Sequence, residues 1–163
     1  MNVPTPRAPD MDPMDRDVLA RLPAHVRDRL SRIGRHAHFS PGAEILSEGV
    51  DTPFVGAVEA GRVALRLRVP ERGGRLTFLT IEAGELLGWS ALVAPYRATA
   101  DAVAIDETEI LALDATGLRD LLADDCEVAA ALLPLVLETV SQRLGASWHQ
   151  LIDMFGAGAI EPW

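Results

Sequence analysis

The first periodic hydrophobic stretch of the chain has helical spacing. Its apolar positions recur every three or four residues and are Val18, Leu19, Leu22, Val26, Leu30 and Ile33. Pro23 interrupts this stretch, because proline fixes its own backbone and has no N–H to donate. Gly34 is a residue typical of a helix end. The pattern therefore predicts one short helix followed by another, closing at Gly34.

Between His36 and Leu113 the pattern changes to short strands separated by turn residues. Apolar residues at 63, 65, 67 and 69 alternate with Arg62, Arg66 and Arg68, which predicts a strand with one buried face and a solvated arginine face. The other predicted strands are 44–47, 54–58, 75–81, 99–105 and 108–113, with a hairpin turn at Gly73-Gly74. Many short strands at this spacing indicate an antiparallel sandwich, roll or barrel.

Helical spacing returns after the last strand. A short helix is predicted at 115–122, with Asp114 as its N-cap, and a long amphipathic helix follows, in which Pro134 predicts a kink or break. The first residues carry several prolines and no apolar core, which is typical of a disordered leader. We therefore divide the chain into a leader (1–17), one domain (18–155) that includes the C-terminal helix 126–155, and a flexible tail (156–163).

Composition and charge narrow the classes of function. The chain has 163 residues, of which 24 are acidic and 15 are basic, all of them arginine, so its net charge is −9. An acidic surface repels phosphate backbones and disfavours nucleic-acid binding. The longest apolar run, 128–137, is too short to cross a bilayer, and no signal peptide is evident, so we expect a soluble cytoplasmic protein. Cys126 is the single cysteine, which excludes an intrachain disulfide, and no catalytic motif predicts an enzyme.

Four motifs in a fixed order identify a family. They are SPGAEILSEG at 40–49, VEAGRV at 58–63, GELLG at 84–88 and TEILALD at 108–114. In this order and at this spacing the chain, from about Leu19 to Phe155, resembles the cyclic-nucleotide-binding domain, the ligand module of the catabolite activator protein. The resemblance implies a mainly β fold: an antiparallel β-roll (a double-stranded β-helix or jelly roll) with an N-terminal helix and a long C-terminal helix. Family regulators carry a helix-turn-helix after that helix, and none follows Phe155 here, so we expect no direct DNA binding.

The resemblance also implies a phosphate-binding cassette between Gly84 and Ala100. In the family a helix N-terminus and an arginine hold the anion, since free N–H groups and a guanidinium fork suit a phosphate. The ligand-binding residues implied for this sequence are Gly88, Trp89, Ser90, Ala91, Arg97, Ala98 and Thr99. The backbone N–H groups of Gly88, Ser90, Ala91 and Ala98 would complete the cradle. The implied ligand is cyclic AMP, cyclic GMP or a related phosphorylated compound, and its binding would re-dock the C-terminal helix.

One position departs from the family pattern. Trp89 stands where the family has its ribose-binding glutamate, and Glu85 is on the preceding turn, from which it would have to reach across. Arg97 could instead form a structural ion pair with Glu85 or Asp101, and Trp89 could fill the core or the pocket. Two hypotheses follow: a regulatory module that senses a cyclic mononucleotide, or a nucleotide-free scaffold or protein-interaction module. Whether Arg97 points into an open cavity or faces solvent discriminates between them.

The remaining candidate residues concern partners and metals. The resemblance implies a protein partner or a homodimer through the C-terminal helix, for which Val136, Val140, Leu144 and Trp148 are suitable. The tail ending in Trp163 is either a docking peptide or a frayed terminus. Tyr96 is either a rim residue or a contact to a base. His36 and His38 share one strand face with no third ligand nearby, so no metal site is predicted.

Overall fold

Eight strands and three helices make up the part of the chain that the structure describes. The computed structural model describes residues 17–69 and 74–156, without the side chains of 69, 151 and 153–156. The helices are α1 (Ala24–Ser31), α2 (Ala115–Asp124) and α3 (Cys126–Gly156), and a 3-10 helix spans Trp89–Leu92. The strands are β1 (Gly34–Phe39), β2 (Glu44–Leu46), β3 (Phe54–Ala60), β4 (Arg62–Val69), β5 (Gly74–Glu82), β6 (Leu86–Leu87), β7 (Asp101–Ala104) and β8 (Thr108–Asp114).

The strands form two antiparallel sheets that face each other. One sheet has the order β1-β8-β3-β6 and the other the order β2-β7-β4-β5. Neighbouring strands in each sheet are mostly distant in sequence; β3, for example, pairs with β8 from Phe54 opposite Asp114 to Ala60 opposite Glu109. This is the wound arrangement of a β-roll, and it confirms the predicted fold class of a mainly β domain with flanking helices.

Two hydrophobic clusters lie on opposite faces of the first sheet. Between the sheets, Phe54 and Val58 of β3 meet residues such as Val63, Ile81 and Ile110. On the other face, Val55 and Ala57 of the same strand pack against all three helices. Because β3 is covered on both sides, its first five residues are all buried. A continuous apolar run is the expected pattern for such a strand.

The helices begin and end at residues with clear chemical reasons. Pro23 immediately precedes α1, where its missing N–H leaves no hydrogen bond unmade. Asp114 accepts a hydrogen bond from the N–H of Gly117, which confirms it as the N-cap of α2. Of the kink or break predicted at Pro134, the break does not occur, because α3 continues through this residue to Gly156.

The sequence placed several boundaries within a few residues of the observed ones. The segment before Pro23 is a turn, and the predicted strand at 99–105 is reduced to Asp101–Ala104. β1 begins at Gly34, because its backbone pairs with Leu113 from that residue onward. Residues 1–16 of the predicted leader, Gly73 of the predicted hairpin turn and residues 157–163 of the predicted tail lie outside the described residues, as do residues 70–72.

The apolar character of α3 extends beyond the apolar run at 128–137, which by itself is too short to cross a bilayer. Cys126–Gln150 is long and apolar enough to cross a membrane by length and composition alone. Four residues of this stretch, Val128, Leu132, Leu135 and Val136, are buried in the cluster that α3 forms with the first sheet. A helix whose apolar face packs on its own domain meets the same criterion, so the finding is weak evidence for a membrane span.

Candidate functional site

The predicted cassette begins with a glycine that its surroundings require. Gly88 has a φ of 74°, a left-handed conformation, and a Cβ atom there would lie 2.6 Å from the carbonyl oxygen of Phe54. The single turn of 3-10 helix follows at once, with Ser90 and Ala91 buried. The Ser90 hydroxyl lies 3.0 Å from the hydroxyl of Thr52, which fixes the turn against the segment before β3.

Two of the four backbone N–H groups predicted to hold an anion are already hydrogen-bonded within the protein. The N–H of Ala91 donates to the carbonyl oxygen of Gly88 at 3.0 Å, and that of Ala98 donates to Val50 at 2.8 Å. Ala91 itself faces the cluster between the first sheet and the helices. In this arrangement both groups are engaged within the protein, so their role in an anion cradle stays a prediction that requires these hydrogen bonds to open.

Arg97 lies on the outside of the domain. Its backbone is held by an extended pairing, because Gly49 donates to Ala98 and Thr52 donates to Tyr96, both at 2.8 Å, with a β-bridge between Asp51 and Arg97. The Arg97 side chain is 62% exposed, and its Nε lies 3.6 Å from an Asp51 carboxylate oxygen. The structural partner of Arg97 is therefore Asp51, and neither Glu85 nor Asp101 fills that role.

The two alternative partners of Arg97 are engaged elsewhere. Glu85 accepts a hydrogen bond from the N–H of Glu82 at 2.6 Å, which makes it a turn carboxylate. Asp101 is only 1% exposed; it accepts the N–H of Glu48 at 2.8 Å and lies 2.9 Å from Nε of Arg75. In this arrangement Glu85 is therefore oriented to stabilise its own turn.

A cavity of about 350 Å³ lies between the roll and α3. One wall is the cassette and the strands behind it, and the other is the face of α3 that carries Val140, Arg143, Leu144 and Ser147. Five of the seven predicted ligand residues line it: Gly88, Trp89, Ser90, Ala98 and Thr99. Ala91 and Arg97 do not, so the ligand-contact role of Arg97 stays a prediction that requires its side chain to turn inward.

Trp89 contributes to two surfaces. It lines the cavity, and it is also partly buried against the cluster under the helices. A tryptophan in this position supplies a large apolar surface and no carboxylate. The cavity therefore has an aromatic wall where the family has its ribose acceptor.

Arg143 is the functional candidate that sequence reasoning missed. It is the one charged side chain among the described residues lining the cavity, and its Nη2 donates a hydrogen bond to the backbone carbonyl of Leu86 in β6. Burial lowers the pKa of Arg143 to about 10, and the charge of Glu85 opposes this effect. A signal existed in the sequence, since Arg143 falls at helical spacing among the apolar residues Val136, Val140 and Leu144.

Arg119 of α2 holds the exit of the cassette. Its Nη1 donates to the carbonyl oxygen of Ala91 at 2.8 Å, and its guanidinium lies 4.4 Å from the centre of the Tyr96 ring. Tyr96 has a φ of 62°, which is unusual for a residue with a side chain. The observed contact of Tyr96 is therefore with α2, at the rim of the domain.

The two histidines considered as metal ligands and Arg62 of the solvated arginine face lie at the surface, each in contact with a carboxylate. His36 contacts Glu59 at 2.7 Å and His38 contacts Glu107 at 3.1 Å. Arg62 pairs with Asp106 through two nitrogens, at 2.7 and 3.2 Å. Among the described residues, no group of three or more His, Cys, Asp or Glu side chains could hold a metal ion.

Comparisons with solved structures agree with the fold. The cyclic nucleotide-binding domain of Methylobacillus flagellatus matches with a TM-score of 0.72 and 16% identity, covering 91% of this chain and 85% of that one. The N-terminal domain of a transcriptional regulator from Streptomyces coelicolor matches with a TM-score of 0.64 and 27% identity, covering 83% and 95%. A triple mutant of the regulatory subunit of a cAMP-independent protein kinase A from Trypanosoma brucei, bound to cAMP in its A site, matches with a TM-score of 0.64 and 19% identity, covering 84% of this chain and 47% of that one.

The family model gives the assignment directly. A search of curated protein sequences finds no match. The model of the cyclic nucleotide-binding domain matches residues 36–125, which include the cassette and all of the β-roll except the first two residues of β1. Together with the wound two-sheet topology and the cavity beside the cassette, this match shows that the chain belongs to the cyclic nucleotide-binding domain family.

Proposed function

We propose that this domain is a regulatory module that binds a small ligand between the β-roll and α3 and transmits binding through that helix. The observation that carries the proposal is the cavity of about 350 Å³, which has the cassette on one side and α3 on the other. A ligand there contacts both, so it has a different affinity for each position of the helix. Such a difference is the requirement for a ligand to shift a conformational equilibrium.

The first ligand class to test is a cyclic mononucleotide, cyclic AMP or cyclic GMP, or a related phosphorylated compound. Family membership supports it, as does a cavity volume within the usual range for ligand sites, roughly 300–1,000 Å³. For Arg97 to contact the phosphate of a ligand in the cavity, its side chain has to leave Asp51 and turn inward. That contact is long and exposed, so little energy opposes the movement.

Titration calorimetry with cyclic AMP and cyclic GMP tests this proposal. We expect saturable binding, and slower amide hydrogen exchange in α3 when the ligand is present. Arg97→Gln should weaken nucleotide binding by about tenfold or more, since it removes a charge-assisted contact. Arg68→Gln, at an exposed position on β4, is the matched control and should bind normally. Absence of heat at millimolar nucleotide, with α3 exchange unchanged, would contradict the proposal.

A second candidate function is a nucleotide-free interaction module. The outward position of Arg97 favours it, together with the engaged N–H groups of Ala91 and Ala98 and the tryptophan at 89. The same titration discriminates between the two. A domain of this second kind binds neither nucleotide and still forms a complex through α3.

The partner surface we propose is the outer face of α3, and the partner is a second copy of this chain or another protein. Its exposed apolar residues are Leu133, Leu137, Leu144, Trp148 and Ile152. Val136, predicted for this interface, is only 6% exposed and belongs to the core of its own chain. Leu144 and Trp148 are 50% and 59% exposed, so they remain suitable contacts. Cytoplasmic localisation and the absence of direct DNA binding stay predictions from the sequence.

A further inference from the structure

We infer that the anion-binding residue of this cavity is Arg143 of α3, and that the cavity takes an amphipathic monoanion with an apolar body, its charged group a carboxylate or a phosphodiester. This inference rests on the proposed function and specifies its ligand. The ligand's charge is then recognised by α3, the helix that transmits binding in the proposed function. The cassette arginine, Arg97, does not line the cavity.

The walls of the cavity favour an apolar body. The large side chains that line it are hydrocarbon or aromatic: Leu46, Leu65, Leu67, Phe78, Trp89, Val140 and Leu144. Its two serines already have partners within the protein, because the Ser90 hydroxyl contacts Thr52 and the Ser147 hydroxyl donates to the carbonyl oxygen of Arg143. A site of this composition binds chiefly by removing apolar surface from water, and a few polar groups orient the ligand.

Arg143 is a partly buried cation whose hydrogen-bonding capacity is largely unused. Its guanidinium has five N–H donors, and the carbonyl of Leu86 is its hydrogen-bond acceptor among the described residues. No carboxylate of a described residue lies within ion-pair distance of it, and burial lowers its pKa. A buried charge without a paired counter-charge is energetically costly. An anion entering the cavity would supply that counter-charge in the fork geometry that guanidinium groups prefer.

A single negative charge suits this site better than two. One guanidinium is available, and the field of Glu85 already acts on it. A dianion would leave one negative charge uncompensated in an apolar cavity, close to another carboxylate. Because like charges repel each other, a monocarboxylate or a cyclic phosphodiester is favoured.

Arg143 also connects ligand binding to the position of α3. Its hydrogen bond to Leu86 ties the middle of the helix to β6, which pairs with β3. A ligand anion competes with the Leu86 carbonyl for the same guanidinium. When the ligand anion replaces the Leu86 carbonyl as acceptor, α3 loses a contact that holds it against the roll. The ligand-bound and ligand-free proteins would then favour different positions of α3, as regulation requires.

The test compares an anion with its neutral isostere on the whole chain. The probes are 4-phenylbutanoate, 4-phenylbutanamide and cyclic AMP. The binding of each probe is measured by calorimetry and by the change in the Nε–Hε NMR signal of Arg143. We expect the carboxylate to bind at least about tenfold more tightly than the amide and to shift the Arg143 signal. Arg143→Gln should remove this preference, and the control Arg68→Gln, at an exposed position on β4, should leave it intact. Circular dichroism and the thermal midpoint check that both variants fold, and the comparison of the two phenyl probes needs no variant.

Each outcome separates the two proposals. If Arg143→Gln loses cyclic AMP binding, the anion that the cavity takes is a phosphodiester. If the carboxylate binds more tightly than the amide and cyclic AMP does not bind, the anion is a monocarboxylate. Both outcomes support the inference. Equal binding of acid and amide, or an undiminished preference for the acid in Arg143→Gln, would overturn the inference and leave the regulatory function standing. If no probe binds at millimolar concentration and α3 exchange is unchanged, both the inference and the proposed function are overturned.

Discussion

The guanidinium of Arg119 lies 4.4 Å from the centre of the Tyr96 ring and at the same time donates to the carbonyl oxygen of Ala91. One side chain of α2 thus holds both ends of the cassette segment, the 3-10 helix and its exit. A third contact, to the Thr116 hydroxyl at 3.2 Å, fixes the arginine to its own helix. Any movement of α2 therefore acts directly on the segment that lines the cavity.

Replacement of Arg119 should loosen the cassette. Arg119→Ala removes a cation–π contact and leaves the Ala91 carbonyl without its donor, so we expect the free energy of unfolding to fall by about 1–3 kcal/mol. Hydrogen exchange at 89–98 should accelerate. Tyr96→Phe keeps the aromatic face and is the control, with an expected change under about 0.5 kcal/mol. Urea denaturation measures both, and an Arg119→Ala variant as stable as Tyr96→Phe would show that the contacts are not formed in solution.

The ion pair of Asp101 and Arg75 should be a large contributor to stability. Asp101 is 1% exposed, and its second oxygen lies 2.9 Å from Arg75 without hydrogen-bond geometry, so the pair depends mainly on charge. Arg75→Ala leaves a buried carboxylate without a counter-charge, and we expect a loss of about 2–4 kcal/mol at neutral pH. A double-mutant cycle with Asp101→Asn measures the coupling, and additive effects would contradict the pairing.

Two glycines with nearly the same backbone angle should respond differently to alanine. Gly88 and Gly42 have φ values of 74° and 83°, but only at Gly88 does a Cβ atom meet a neighbour, 2.6 Å from the Phe54 carbonyl. Gly42→Ala should cost about 1 kcal/mol, the strain of the left-handed conformation alone. Gly88→Ala adds an overlap with backbone and should cost about 2–4 kcal/mol. Thermal unfolding distinguishes them, and equal losses would mean that the close approach at Gly88 is relieved without penalty.

Dimerisation through α3 should be weakened by a charge placed on the outer face of this helix. Trp148 is 59% exposed in an apolar stripe, and a glutamate there would place a desolvated charge in the proposed interface. We expect Trp148→Glu to convert a dimer to a monomer in light scattering while the domain stays folded. Leu76→Glu, at an equally exposed apolar position on β5, is the control. A wild-type chain that is monomeric at every concentration would contradict the homodimer and leave a different protein as the partner.

Acid should weaken the connection between α1, α2 and α3 through Asp125. Its carboxylate accepts the N–H groups of Val128 and Glu127 at 3.2 and 3.1 Å and pairs with Arg29, and the hydrogen bond from Val128 is the main cause of its lowered pKa. Because the folded pKa lies below the unfolded value of about 3.9, Asp125 contributes full stability above that pH and loses it as pH falls through the folded pKa. Asp125→Asn should therefore flatten the fall in thermal midpoint over this acidic range. An unchanged acid profile in the variant would remove Asp125 as a cause.

The local pattern of the sequence determined a domain of short antiparallel strands flanked by helices, because these elements depend on local rules. The β-roll and the position of the cassette came from the resemblance to the family. Alternation at 62–69, the turn glycines and the N-cap at Asp114 act over a few residues, so their order can be interpreted without knowing what they pack against. At Pro134 such a rule predicted a kink or a break, and α3 continues through the proline without a break. A helix whose face is buried can retain a proline, since tertiary packing outweighs one lost hydrogen bond.

Only the tertiary structure decided which side chains meet at the cavity. Arg97 and Trp89 are close in sequence, yet the pairing of 49–52 with 96–98 turns Arg97 toward Asp51 and away from the cavity. Arg143 is 46 residues further along the chain, and only the docking of α3 brings it to Leu86. A charge acquires its role from desolvation and from its neighbours, which are properties of the folded surroundings and are not encoded by the residue type.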